Sequence, residues 1–236
     1  MGMSIIITIG GVVAVAIVAA VMMYGLPLAI RALQERRWGS IDGVLALTYD
    51  DGPDGVTTGQ LLDLLDEKSV PATFYLVGFR AELNGEMLRR LRESGHQLAT
   101  HTHSHKNAWK KPFWFEYRDA MRGYETLSGV VSEREAYRPP FGKITLLTWL
   151  GMRLRGRRVH WWTVPANDTL DSFDDPAVVA GRMLDSGERV VLMHCHHDEP
   201  HRREYMLALT RYLIDGARDR GLRLVTMREL EGGVVA

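Results

Sequence analysis

Three short stretches carry most of the side chains able to do chemistry: TYDDGP (Thr48–Pro53), THTHSH (Thr100–His105) and HCHHDEPH (His194–His201). His101 and His105 are four residues apart, a spacing that on a helical turn sets two imidazoles on one face, as in many metal sites. The plainer alternative is a polar loop with exposed histidines. Thr102 stands where a helix-borne zinc peptidase would need Glu, so H-E-x-x-H chemistry is excluded. His103 would project elsewhere and serve no ligand role. Asp50 and Asp51 also have a bland reading, because DGPDG is good turn chemistry by itself. Gly52 breaks the spacing of an EF-hand calcium loop. Neighbouring side chains on an extended segment point to opposite faces, so two tasks from this pair require a bend, which Gly52-Pro53 can supply. One oxygen from Asp51 with His101 and His105 would make a two-His, one-carboxylate site. Such a site keeps positions open for water and substrate, and zinc accepts it.

The elements that must position these groups follow from the apolar pattern. Short β-branched and apolar runs cover 44–50, 72–78, 96–101, 136–140, 159–164, 189–194 and 222–227, with helical periods such as TTGQLLDLLDEKS and EYMLALTRYLIDGARDRG between them. Strands alternating with helices imply parallel βαβ units, and seven such units suggest a (β/α) barrel. Chemistry in such barrels sits at the C-terminal ends of strands. The three polar stretches fall there, as do RPPFG (138–142) and PANDT (165–169), and seven of the nine histidines lie in or beside those ends.

Composition bounds the rest. Lys and Arg (29) balance Asp and Glu (29), so no basic field argues for nucleic acid as a partner. The single cysteine, Cys195, forms no intramolecular disulfide and no cysteine-based zinc knuckle. No charged side chain precedes Arg31, and the apolar run before it exceeds the roughly 20 residues a helix needs to cross a bilayer core. The run is too long, and its start too uncharged, for a cleaved signal peptide. The expected organisation is a single-pass transmembrane anchor over 1–30, a basic juncture over 31–43 and a catalytic domain over 44–236. Pro27 is expected to end or kink the anchor helix. Arg31, Arg36 and Arg37 after the span weakly favour a cytoplasmic domain.

TYDDGP, HTHSH, RPPFG, WWTVPANDT and VVLMH occur in the order and approximate spacing of the polysaccharide deacetylase family (carbohydrate esterase family 4), which this chain resembles from Val44 to Leu230. The first two motifs, about fifty residues apart, are the specific ones. The resemblance implies a distorted (β/α) barrel and a metal-dependent deacetylase of chitin oligosaccharides, peptidoglycan or related glycans. It implies Asp51, His101 and His105 as ligands of a divalent metal, zinc first and cobalt as an alternative. Asp50 would be the base acting on metal-bound water, and His194 the acid that protonates the departing amine. Arg138 would orient Asp50, Asp168 would orient His194, and the backbone N–H of Phe141 would help hold the oxyanion. The family's domain is usually external, against the direction the arginines suggest.

Three departures bear on these expectations. Thr169 stands where the family usually has Trp, Pro165 replaces a common Asp, and Cys195 follows His194 where Asp is usual. The first two leave Asp168 and the acyl pocket in question. His196, His197, Asp198 and His201 would form either a solvated loop or a second metal site. Trp161 and Trp162 would either stack on sugar or pack in the core. The substrate is expected to be an N-acetylated glycan or a lipid-linked N-acetyl sugar. A deformylase acting on a lipid-linked amino sugar, and a non-catalytic glycan-binding protein tethered to the membrane, are the competing readings.

Overall fold

The computed structural model describes residues 11–232 apart from positions 12 and 16. The first part of the expected anchor therefore lies outside the described residues. The centre of the domain is β1 (Val44–Asp50), whose seven residues VLALTYD are all buried. Near-continuous apolar sequence of this kind belongs to a strand covered on both faces, and every strand pairing here is parallel. β2 (Thr73–Leu76), β3 (Gln97–Thr100), β4 (Val164–Pro165) and β5 (Val190–His194) run in the order β3-β2-β1-β5-β4, and β6 (Arg223–Leu224) pairs with the start of β1.

Six strands thus replace the expected seven among the described residues. The run 136–140 contributes only isolated bridges, from Tyr137 to Thr100 on one side and to Val159 on the other. The Arg138 N–H still donates to the Thr100 carbonyl at 3.0 Å, but Pro139 and Pro140 come next and have no N–H to continue a ladder. The run 159–164 pairs mainly at its end, as β4. The strand ends fall where the sequence places its polar stretches: β1 ends on Asp50, β3 on Thr100 and β5 on His194. Register sets Asp50 directly beside His194 on β5 and Tyr75 on β2.

Helices α2 (Thr57–Lys68), α3 (Gly78–Leu83), α4 (Gly85–Glu93), α5 (Phe115–Thr126), α6 (Leu146–Leu154), α7 (Pro176–Asp185), α8 (Pro200–Asp219) and α9 (Met227–Gly232) complete the domain. Leu61, Leu62 and Leu65 of α2 and Leu209 and Leu213 of α8 are fully buried in the core that includes β1. The Asp54 carboxylate accepts N–H bonds from Val56 and Thr57 and so caps the start of α2, immediately after the TYDDGP turn.

A helix extends over Val13–Gly39 and is apolar and long enough to cross a membrane, with almost none of its most apolar stretch covered by protein. Pro27 neither ends nor breaks it. A π-helical turn over Val21–Gly25 precedes α1 (Leu26–Gly39), whose second residue is Pro27. The π turn already interrupts the i→i−4 ladder, so the missing proline N–H falls where the ladder is broken. The helix then continues through the basic juncture and lies on the domain. Trp38 is buried, Ile30 packs on the core, Gln34 donates to the Val159 carbonyl at 3.0 Å, and Arg31 sits 4.6 Å over the Trp162 ring.

Candidate active site

Asp50 is the last extended residue of β1, and Asp51 turns into the left-handed region at φ 74°. That turn breaks the alternation of the strand and brings both carboxylates to one place. Asp50 Oδ2 lies 3.6 Å and Asp51 Oδ1 3.5 Å from the same nitrogen, His101 Nε2. The Gly52-Pro53 peptide is cis. Gly52 is required by close approach, since a Cβ there would lie 2.5 Å from Cys195 Sγ. Cys195 itself is buried, and its N–H donates to the Asp50 carbonyl at 2.9 Å, so the β1 and β5 loops are locked together beneath the site.

The two histidines converge without the helical turn that their spacing suggests. After β3 the chain runs through bends, with Thr102 at φ 67° and His105 at φ 51°. The Thr102 hydroxyl accepts the His105 N–H at 3.0 Å and closes the turn. His101 is buried and its Nδ1 donates to the Arg138 carbonyl at 2.8 Å, which leaves Nε2 with a free lone pair facing the carboxylates. Burial depresses His101 to about 4 despite the nearby Asp50, so its ring is neutral at pH 7. His105 Nε2 lies 2.9 Å from Asp51 Oδ1. His103 turns away to the Thr126 hydroxyl, outside the donor cluster, in line with the expectation that it projects elsewhere.

These residues fit a divalent metal. One donor atom each from Asp51, His101 and His105 lies within 4.8 Å of the others, the one such cluster among the described residues. Asp51 Oδ1 is buried and receives no hydrogen bond of good geometry, although His105 Nε2 is close by. An acceptor in that position calls for a cation. Burial alone would raise the Asp51 carboxyl, but the neighbouring His105, His194 and His101 outweigh it and hold it well below the usual carboxylate range.

Arg138 is wholly buried and belongs to Asp50. Its Nη1 donates to Asp50 Oδ1 and to the Thr48 hydroxyl, both at 2.8 Å, while Nη2 donates to the Trp161 carbonyl at 2.8 Å. The Tyr75 ring lies 3.8 Å from the guanidinium. These three acceptors and the ring face offset part of the hydration that the buried guanidinium loses, while its Nε finds no acceptor. Only Oδ1 is taken, so Asp50 Oδ2 stays directed toward the metal cluster.

On the opposite side, His194 ends β5. Asp168, fully buried, accepts the His194 Nδ1–H at 2.8 Å with one oxygen and the His194 backbone N–H at 2.7 Å with the other. His194 Nε2 is thereby left for the open side of the site. Burial would lower this imidazole, but the Asp168 charge and hydrogen bond, aided by Asp51 and Asp50, push it up to about 9. Thr169 and Pro165 therefore do not keep Asp168 from His194.

The remaining candidates are dispersed. Phe141, at φ 59° and half exposed, sets its ring 5.0 Å from that of His105 at the rim. Trp161 is a core residue whose indole N–H donates to the Gly142 carbonyl, whereas Trp162 is partly exposed beneath Arg31. His196 pairs with Asp54 at 3.1 Å and Asp198 at 3.5 Å. His197 lies 3.3 Å from Asp168, and His201 faces Phe173. These four gather into no second metal cluster among the described residues. Sequence reasoning missed Thr48 and Tyr75, the supports of Arg138. Their signal is positional, since Thr48 lies two residues before Asp50 on the same face of β1 and Tyr75 pairs with Asp50 in register.

Residues 40–160, just over half of the chain, match the family model described as Polysaccharide deacetylase. A peptidoglycan-N-acetylglucosamine deacetylase of Bacillus cereus is 28% identical over 79% of this chain and 87% of its own length. The peptidoglycan-N-acetylmuramic acid deacetylase PdaC of Bacillus subtilis is 28% identical over 80% of this chain, a match spanning 38% of that longer protein. Among solved structures, a peptidoglycan N-acetylglucosamine deacetylase crystallised with an N-hydroxybenzamide-type compound superposes with a TM-score of 0.72 at 26% identity, over 80% of this chain and 87% of that one. A family 4 pseudoenzyme from Bacillus anthracis shares the fold at a TM-score of 0.69 and 17% identity, over 80% and 65% of the two chains.

Proposed function

This chain belongs to the polysaccharide deacetylase family, and from that premise we propose that it removes an acetyl group from an N-acetylated sugar at a membrane surface. The observation that carries the reading is the joining, in one site, of a three-donor cation cluster with Asp50 and with an imidazole held cationic by Asp168. A shared fold alone would not carry it, because a pseudoenzyme has that fold too.

Asp51, His101 and His105 would hold zinc or cobalt. When bound, the ion supplies Lewis acidity toward a carbonyl oxygen and acidifies water. Asp50, fixed by Arg138 through one oxygen, takes a proton on Oδ2. His194, its Nδ1–H committed to Asp168, gives the Nε2 proton to the amine as the C–N bond breaks. The backbone N–H of Phe141, on the rim beside His105, would donate to the carbonyl oxygen as negative charge develops. We read the Thr100–Tyr137–Val159 bridges as closing the sheet into a distorted barrel that fixes these groups at one end. Val13–Gly39 is the membrane anchor, and the substrate is a membrane-proximal glycan or a lipid-linked N-acetyl sugar.

The test uses the full-length protein in nanodiscs and follows acetate release from N-acetylglucosamine oligomers, peptidoglycan and a lipid-linked N-acetyl sugar. Chelation should abolish release, and zinc or cobalt should restore it. Asp50→Asn should retain the metal and lose turnover, while Asp51→Asn should lose both. A metal-loaded protein that binds these glycans without releasing acetate would establish the non-catalytic reading instead, and formate from an N-formyl sugar would establish the deformylase.

A further inference from the structure

The face beside the N-terminal helix has an unusual surface. WKKPFW (Trp109–Trp114) is exposed throughout, and on α6 the exposed side chains Leu147, Leu150 and Leu154 recur at helical spacing. Segments 106–115 and 141–155 together hold six Lys and Arg and no Asp or Glu, in a chain whose charges otherwise balance. Aromatic rings and leucines among cations, without acids, are the composition of a membrane-interface surface. Exposed apolar stripes of this size on a soluble face mark contact with something else.

This surface is continuous with the apolar helix. α6 packs against both the π turn and α1, and Tyr24 of the π turn meets the Trp109 ring edge-on at 5.8 Å. It is equally continuous with the active-site rim. The Trp109 indole donates to the Ile144 carbonyl, Lys143 lies 5.1 Å over the same ring, and Phe141, two residues before Lys143, touches His105. From Tyr24 to Arg31, which packs against Trp162 beside Gly142, the helix rises roughly 10 Å.

We propose that this aromatic and basic face seats on the anionic surface of the bilayer that the Val13–Gly39 helix enters. Leu147, Leu150, Phe113 and Trp114 lie at headgroup depth, and the lysines face lipid phosphates. The proposal rests on reading Val13–Gly39 as a membrane helix. It adds that the domain lies against the membrane and does not stand off on a stalk, with the mouth of the site held near headgroup level.

Cys195 is buried, so a thiol dye reports on one introduced cysteine at a time. Full-length Leu150→Cys, Val18→Cys and Tyr212→Cys are labelled with an environment-sensitive dye and placed in nanodiscs of phosphatidylglycerol and phosphatidylcholine carrying headgroup-level or acyl-chain nitroxide lipids. Tyr212 is exposed on α8, which packs on α2 and α7. The headgroup nitroxide should quench about half of the emission at Leu150 and little at Tyr212, while the acyl nitroxide quenches Val18. Omitting phosphatidylglycerol should weaken Leu150 quenching about twofold and leave Val18 unchanged. If Val18 is quenched and Leu150 behaves like Tyr212, the anchor reading stands and the proposal is overturned. If neither is quenched, the anchor reading falls and the proposal with it. Shielding of Leu150 that ignores the nitroxide and grows with protein concentration would assign the face to a second copy, and equal quenching in neutral lipid would overturn the choice of an anionic surface.

Discussion

His101 is buried and His194 is partly buried, and both follow or end a strand at the same end of the sheet, yet they sit in opposite protonation states. His101 gives its Nδ1–H to a neutral backbone carbonyl, so burial dominates and the ring stays uncharged, with a lone pair to offer. His194 gives its Nδ1–H to a buried carboxylate, so the ring stays cationic, with a proton to offer. The difference lies in one hydrogen-bond partner, a peptide oxygen in one case and Asp168 in the other. In the proposed mechanism it separates a ligand from an acid within one site.

Removing the ligand should do the most damage. His101→Ala is expected to lose metal, read by elemental analysis, and to lower kcat/KM by about 10³-fold or more. A variant that keeps stoichiometric metal would break the assignment. Next, His194→Gln should keep the metal but cost about 10²-fold to 10³-fold in amide hydrolysis. On an acetate ester with a phenolate leaving group, which departs without protonation, the loss should stay below about tenfold. Equal losses on both substrates would remove His194 as the acid.

Asp168→Asn converts the second environment toward the first, and its effect should be visible mainly in pH. In the proposed mechanism the active form carries the His194 proton, so with Asp168 present the alkaline limb should lie well above the ordinary imidazole range, toward about 9. The stability contributed by the pair has the same sign. It is complete below the unfolded value near 6.5 and is lost as pH rises through the folded value. With Asn the limb should move down by a unit or more, and the variant's thermal stability should stop falling over that window. An unmoved limb would mean that another group sets it. The smallest effect is expected from Gly52→Ala, which forces a methyl group against Cys195 and should cost about 1–3 kcal/mol in denaturant unfolding.

Much of this site is legible in the residue types at the strand ends, because a strand that closes on Asp or His after an apolar run, as β1 and β5 do, marks both an end and a polar group held there. Type and spacing offer Asp51, His101 and His105 as one candidate donor set beside a plain polar loop and turn, and it is the resemblance of TYDDGP and HTHSH to the family's motifs that singles the three out. The route by which they converge is not legible, since it runs through the left-handed backbone of Asp51, Thr102 and His105, a conformation that residue types at these positions do not announce. The run 136–140 reads as a strand by composition but is reduced to a bridge by two prolines. Asp168 opposite His194 becomes certain only through β4–β5 pairing, which delivers the 165–169 loop beside the end of β5. Nor does local sequence reveal that α1 lies on the domain, because the contacts of Arg31, Gln34 and Trp38 are made to residues more than a hundred positions away.

That docking has a mechanical meaning. A catalytic head on a slack tether samples a hemisphere of positions, and its anchor only raises local concentration. Here the helix that leaves the apolar stretch is the same rigid rod that carries Trp38 into the core and lays Arg31 over Trp162. The active site therefore works at one fixed altitude along that rod. Under the proposed membrane anchoring and deacetylation, a sugar in a long strand would be a substrate only while it passes through that layer, and anchor length, more than any residue in the site, would set which acetyl groups come within reach.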